Sequence, residues 1–305
     1  MASRRIVSYP APRRPLLEGT AAGRVLSVHR RSVYVELRPP TGGAILAIVD
    51  AELGNGPLNL VADRLDTEQF CLRQGDRVCL VDGQMTVGGG SFPGAKPLTL
   101  SVREARPHDP HLRLCATDLD PKAVSACAAF VAREGPADGL AVLLSVLDAT
   151  PRTRALPSAW QQKALAAAQT LLRGLRTDEA DEIRSGAQRL CGLGLGLTPS
   201  GDDFLVGVLI GLRLAGADPR PIVEAATDTT RISRAYLEAA AHGQANEPWH
   251  DLLQALRSEG GWEPSARRLL RWGETSGADM MAGFFAWWNG CVGGRPPVTR
   301  YNGSV

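Results

Sequence analysis

One pattern occurs twice in this chain and constrains its fold more than any other feature. Ser200-Gly201-Asp202-Asp203-Phe204-Leu205-Val206-Gly207 aligns with Ser276-Gly277-Ala278-Asp279-Met280-Met281-Ala282-Gly283, matching the serine, the first glycine, the second acid and the later glycine at identical spacing. Each copy opens an almost wholly apolar run, Phe204 to Leu214 and Met280 to Trp288. A helix without a polar face has to be covered on all sides. The pattern therefore predicts two buried glycine-containing helices, one starting near residue 200 and one over residues 278–292, with Gly207 and Gly211 admitting a close neighbour.

The loop before the first copy carries three alternating glycines, Gly192, Gly194 and Gly196, followed by Thr198 and Pro199. Thr198 or Ser200 is a suitable N-cap, Pro199 suits a first turn, and Asp202 and Asp203 stand where the helix dipole favours acids. Two explanations follow. Capping alone accounts for both copies if each helix merely needs an end. Alternatively the two N-termini converge on one small anion, with backbone N–H groups and serine hydroxyls as donors. On that reading Gly196, Thr198, Ser200, Gly201, Ser276 and Gly277 bind the anion, and Asp202, Asp203 and Asp279 are the catalytic acids. Carboxylates facing an anion need a cation or a proton between them. No cofactor is certain from the residues; Mg²⁺ held by Asp202 and Asp203 is the one candidate.

Gly196 and Gly201 have the separation of a phosphate-binding P-loop. Asp202 stands where that motif needs lysine, and no clear strand precedes the loop, which excludes it. A dinucleotide fingerprint fails as well, because the second half of the chain lacks β-α-β alternation. His108, Asp109 and His111 are read as a solvated linker rather than a metal site, since closely spaced ligands without further partners are weak grounds.

The 305 residues suffice for two domains. Residues 1–19 read as a flexible lead-in. Over 20–106, short strand-like runs (24–28, 32–37, 44–49, 77–81 and 98–102), with Tyr34, Glu36 and Arg38 alternating with Val33, Val35 and Leu37, are separated by turns rich in Gly and Pro, which predicts a small antiparallel β domain closed like a barrel. A linker over 107–120 leads into a larger all-α domain over 121–294, and 295–305 form a tail. The fold class is α+β. The net charge of +2 is dispersed, with nearly all the positive charge on arginine, so no nucleic-acid stripe is present. No signal peptide opens the chain, neither apolar run reaches the ~20 residues of a membrane span, and six separated cysteines suit a reducing compartment; the expected location is cytoplasmic, with no membrane partner.

The stretch Gly194 to Gly207 together with Thr275 to Gly283 resembles the AllH-type family, and the layout of a β-rich part before helices is similar too. The resemblance implies a subunit of an oxamate carbamoyltransferase that moves a carbamoyl group between phosphate and a small amide or amine acceptor in purine (allantoin) nitrogen catabolism, assembled with an FdrA-like subunit and a further partner. Carbamoyl phosphate and oxamate are small anions, which suits two converging helix N-termini. The Ser-x-x-x-x-Thr loop and His-Pro-x-Gln segment of ordinary carbamoyltransferases are absent, so the catalytic framework differs from theirs. Two other readings stand beside this one: a Mg²⁺-dependent hydrolase of a phosphate- or ribosyl-containing small molecule, and a non-catalytic assembly subunit.

Overall fold

A computed structural model describes residues 3–39, 42–89, 96–147 and 158–292, and they divide into two compact units that meet at Pro110. The expected tail over 295–305 lies outside the described residues.

The first unit is a barrel built from β1 (Ser3–Pro10), a short helix α1 (Arg14–Leu17), β2 (Thr20–His29), β3 (Ser32–Arg38), β4 (Ala44–Asp50), β5 (Asn59–Ala62), β6 (Arg77–Val81), β7 (Gln84–Val87), β8 (Leu98–Ser101) and β9 (Arg106–His108). The strand order is β5-β4-β3-β2-β6-β7-β8-β1-β9, and β1 also pairs with β5, which closes eight strands on themselves. Most pairs are antiparallel; β4–β5, β1–β8 and β1–β9 are parallel. The period-2 alternation does what a barrel needs. In β6, Val78 and Leu80 point inward and Arg77, Cys79 and Val81 outward, and the inward set joins Ile6, Val33, Val35, Leu46, Ile48, Met85 and Leu100 in one core.

Two boundary expectations do not hold. Residues 3–19, expected as part of a flexible lead-in, are not loose: Ile6 is fully buried and β1 is the strand that closes the barrel. The Arg4-Arg5 pair and Pro10 hide that strand in the sequence, because only one side chain in two has to be apolar. Nor is 107–120 all linker, since β9 pairs with β1 through Arg106 to His108 and residues 116–118 form a 3₁₀ turn.

The second unit is helical: α2 (Pro121–Glu134), α3 (Leu144–Leu147), α4 (Ala159–Thr177), α5 (Ala180–Leu190), α6 (Ser200–Ala215), α7 (Arg220–Ala225), α8 (Arg231–Ala241), α9 (Glu247–Ala255), α10 (Glu263–Leu270) and α11 (Ser276–Trp287), the last running into a π-helical turn over Trp288–Val292. Between α2 and α3, Ala141–Leu143 form a 3₁₀ turn that leads directly into α3.

Helices α6 and α11 are the buried pair at the centre, and their glycines set how closely they approach. A Cβ on Gly207 would lie 1.8 Å from the Met280 carbonyl oxygen, and one on Gly283 would lie 1.9 Å from that of Phe204. Phe204 and Met280 occupy equivalent places in the two copies, so the contacts are exchanged by a local two-fold relation. Further along, Gly211 faces the ring of Trp287, its own equivalent. Contacts that advance together along both helices mean parallel packing, which leaves both N-termini at the same end.

Candidate functional site

The first turns of α6 and α11 meet at that end. Each serine reaches the acid of the other turn: the Ser200 hydroxyl hydrogen-bonds Asp279, and the Ser276 hydroxyl hydrogen-bonds Asp203. Thr198 Oγ1 lies 3.2 Å from Ser276 Oγ and also bonds Asp203. Neither serine caps its own helix. Pro199 and Thr275 hold the N-cap positions, and neither helix has a side-chain cap bond. Capping alone therefore does not explain the repeated motif.

The backbone donors are largely engaged inside the chain. Gly201 N–H donates to Leu193 O (2.8 Å), Gly277 N–H to Trp272 O (2.9 Å), Asp203 N–H to Pro199 O (3.1 Å) and Asp279 N–H to Thr275 O (2.8 Å). The expected nest of free amides is thus replaced by hydroxyls. Gly201 and Gly277 instead let the preceding helices pack close, because a Cβ would fall 2.0 Å from Leu190 O and 1.8 Å from Leu269 O respectively.

The three acids separate into two roles. Asp202 faces away from the dyad: its Oδ1 accepts the Gly192 N–H (2.9 Å) and its Oδ2 accepts the Thr229 hydroxyl. Both oxygens are committed to tying the glycine loop to the segment before α8, which leaves Asp202 unsuited to holding Mg²⁺ with Asp203. Among the described residues no group of three or more His, Cys, Asp or Glu side chains is placed to hold a metal ion.

Asp203 and Asp279 form the central dyad, 5% and 0% exposed. Burial, and then the nearby Asp279 charge, hold the Asp203 carboxyl well above the usual carboxylate range, against the opposing pull of the Ser276 and Thr198 hydrogen bonds. Burial raises Asp279 to about 6, opposed by the Leu140 N–H and the Ser200 and Thr275 hydroxyls. Among the described residues, Oδ2 of each acid has no hydrogen-bond partner. Thr198, Thr275 and Ser276, the hydroxyl neighbours of the two acids, are half-buried.

Support for Asp279 comes from a distant part of the unit. Leu140 N–H donates to Asp279 Oδ1. Buried Gln161 holds that loop by donating to Ala137 O (2.9 Å) and Gly139 O (2.8 Å). A Cβ on Gly139 would lie 2.6 Å from Asp279 Oδ1, so only glycine fits there. Sequence reading missed Leu140 and Thr275. The Ser158 hydroxyl donates to the Gln161 side chain and does not cap α4. Gly196 sits on the exposed rim of the glycine loop at φ 98°, next to Leu195, which is 95% exposed. Cys191, pushed by burial to about 11, is a neutral thiol.

Two family models match the chain. One, described as oxamate carbamoyltransferase subunit AllH, covers residues 190–287, and the other, the AllH family N-terminal domain, covers residues 6–107. The chain belongs to the AllH family. The first AllH match takes in both serine-glycine turns and both helices, and the second coincides with the barrel. No solved structure matches the chain. Among the described residues no helix is long and apolar enough to cross a membrane.

Proposed function

We propose that this AllH-family chain is the subunit of an oxamate carbamoyltransferase complex in which the twin turns form the reacting site, working with an FdrA-like subunit and a further partner in the purine (allantoin) branch of nitrogen catabolism. The observation that carries the proposal is the reciprocal crossing of Ser200 to Asp279 and Ser276 to Asp203. It builds one site from two distant stretches and leaves on each acid a buried carboxyl oxygen unpartnered among the described residues, an arrangement that helix ends alone do not require.

The chemistry assigned to the residues follows from their surroundings. Carbamoyl transfer forms a bond between the acceptor nitrogen and the carbamoyl carbon and breaks the bond from that carbon to the phosphate oxygen. The acceptor nitrogen loses a proton on the way. Asp279, raised to about 6, is poised to accept that proton near neutral pH. Asp203, whose carboxyl burial and the nearby Asp279 charge hold well above the usual range, in its protonated form donates a hydrogen bond to a developing negative oxygen. Thr198, Ser200 and Ser276 orient the two carboxyls, and Gly196, Gly201 and Gly277 shape the approach. Asp202 holds the glycine loop in register.

The test is reconstitution. The complex assembled from this chain and its two partner subunits is expected to form carbamoylated oxamate from carbamoyl phosphate and oxamate. The partners without this chain should form none. Equal product with and without the chain would refute the proposal.

A further inference from the structure

Asp203 and Asp279 are the two least ordinary side chains of the molecule. They are two carboxyls in one buried site, each with one oxygen unpartnered among the described residues. A buried polar atom without a partner is destabilising and marks a place where a partner belongs in another state. What that partner is follows from counting protons. Two carboxylates close together and out of water cannot both be charged, so the pair carries one proton between them. A dyad in that state offers one O–H donor and one carboxylate acceptor. A carboxylate or a fully ionised phosphate ester brings only acceptors, and an ammonium ligand only donors. The edge of a primary amide brings one of each, a carbonyl oxygen beside an N–H.

The surroundings also decide which acid keeps the proton. Asp279 receives a backbone N–H from Leu140 and two hydroxyls, Ser200 and Thr275, whereas Asp203 receives hydroxyls only, from Ser276 and Thr198. An N–H can only donate and therefore favours a charged acceptor, while a hydroxyl adapts to either state. The other carboxylates felt at the site, Asp138 by Asp279 and Asp202 by Asp203, raise both members and add a second reason for a proton to stay.

We infer that the twin turns recognise the edge of a primary carboxamide or carbamoyl group, with protonated Asp203 donating to its carbonyl oxygen and ionised Asp279 accepting from its NH₂. This deepens the proposed function and rests on it only for the choice of probe. Within that function it assigns the amide end of the acceptor to this chain, not the phosphate.

The test compares oxamate with oxalate, which has the same size but a carboxylate in place of the amide, by calorimetric titration of the full-length chain at neutral pH. Oxamate is expected to bind at least about tenfold more tightly, the worth of one good hydrogen bond. Asp203→Asn, whose NH₂ can still donate to a carbonyl, should keep oxamate affinity within about threefold, whereas Asp279→Asn, which cannot accept in the same way, should lose about tenfold or more. Oxalate binding as tightly as oxamate, or no oxamate binding by the wild-type chain at millimolar concentration, would overturn the inference, and neither result depends on the variants folding. Equal losses from the two folded variants would also overturn it. Because binding is read on this chain alone, failed carbamoyl transfer in the complex would count against the proposed function and leave this result standing.

Discussion

At the scale of single residues, the dyad sets two opposite pH trends. Asp279 ionises in the folded chain only near 6, against 3.8 for the free side chain. A carboxyl whose folded value is raised contributes stability that is fully present below the unfolded value and is lost as pH rises through the folded one. The helical unit is therefore expected to be more stable at pH 4 than at pH 7, by about 2 kcal/mol from this group alone. Denaturant melts across that range check it, and Asp279→Asn should flatten the dependence. Activity should run the other way, falling on the acid side with an apparent midpoint near 6, because a protonated Asp279 cannot accept the proton of the acceptor nitrogen. Asp202 behaves differently. Its two oxygens join Gly192 to Thr229, so Asp202→Ala should destabilise by about 1–3 kcal/mol through the stranded donors, measured as a lower midpoint in chemical unfolding. Substrate affinity should change far less than in the dyad variants.

At the scale of elements, the site depends on how closely α6 and α11 approach. Gly283→Ala puts a Cβ 1.9 Å from the Phe204 carbonyl and should cost about 1–3 kcal/mol as the helices separate. Because the crossing hydroxyls span the same pair, this variant should also weaken oxamate binding, although Gly283 touches no ligand. Gly196→Ala is the contrasting case. Nothing lies within 4 Å of the added carbon, but φ is 98°, so the expected loss of about 1–2 kcal/mol comes from backbone strain in the loop. Thermal melts of the two variants, read beside oxamate binding, separate the effects. Much of this level is legible in the sequence. The repeated Ser-Gly-x-Asp, the helix starts and the need for burial are all visible, since each depends on residues close together along the chain. The exchange of serines is not visible, because a serine that caps its own helix and one that crosses to a neighbour stand at the same position. Leu140 is invisible for another reason: a backbone N–H carries no sequence signature, and it arrives from a distant segment.

At the scale of the whole molecule, the chain carries two cores with no residue in common, one over the barrel and one over the helices. A fragment of residues 1–110 is therefore expected to fold alone, with a cooperative thermal transition and a β-type circular dichroism spectrum; an unfolded fragment would show that the barrel depends on the helical unit. The barrel was legible where its strands alternate over five or more residues, as in β3 and β6, and lost where they are short or masked. In β5 all four residues are buried, so it shows no alternation, and β1 places two arginines before its one fully buried isoleucine. The account as a whole turns on one statement, that the paired acids on α6 and α11 do the chemistry of the complex. Single-turnover carbamoyl transfer by the reconstituted complex containing Asp203→Ala, which removes the donor, or Asp279→Asn, which removes the base, tests it most directly. With assembly intact by size-exclusion chromatography, each variant should slow transfer by about 10²-fold or more; assembled variants that transfer at the wild-type rate would contradict it.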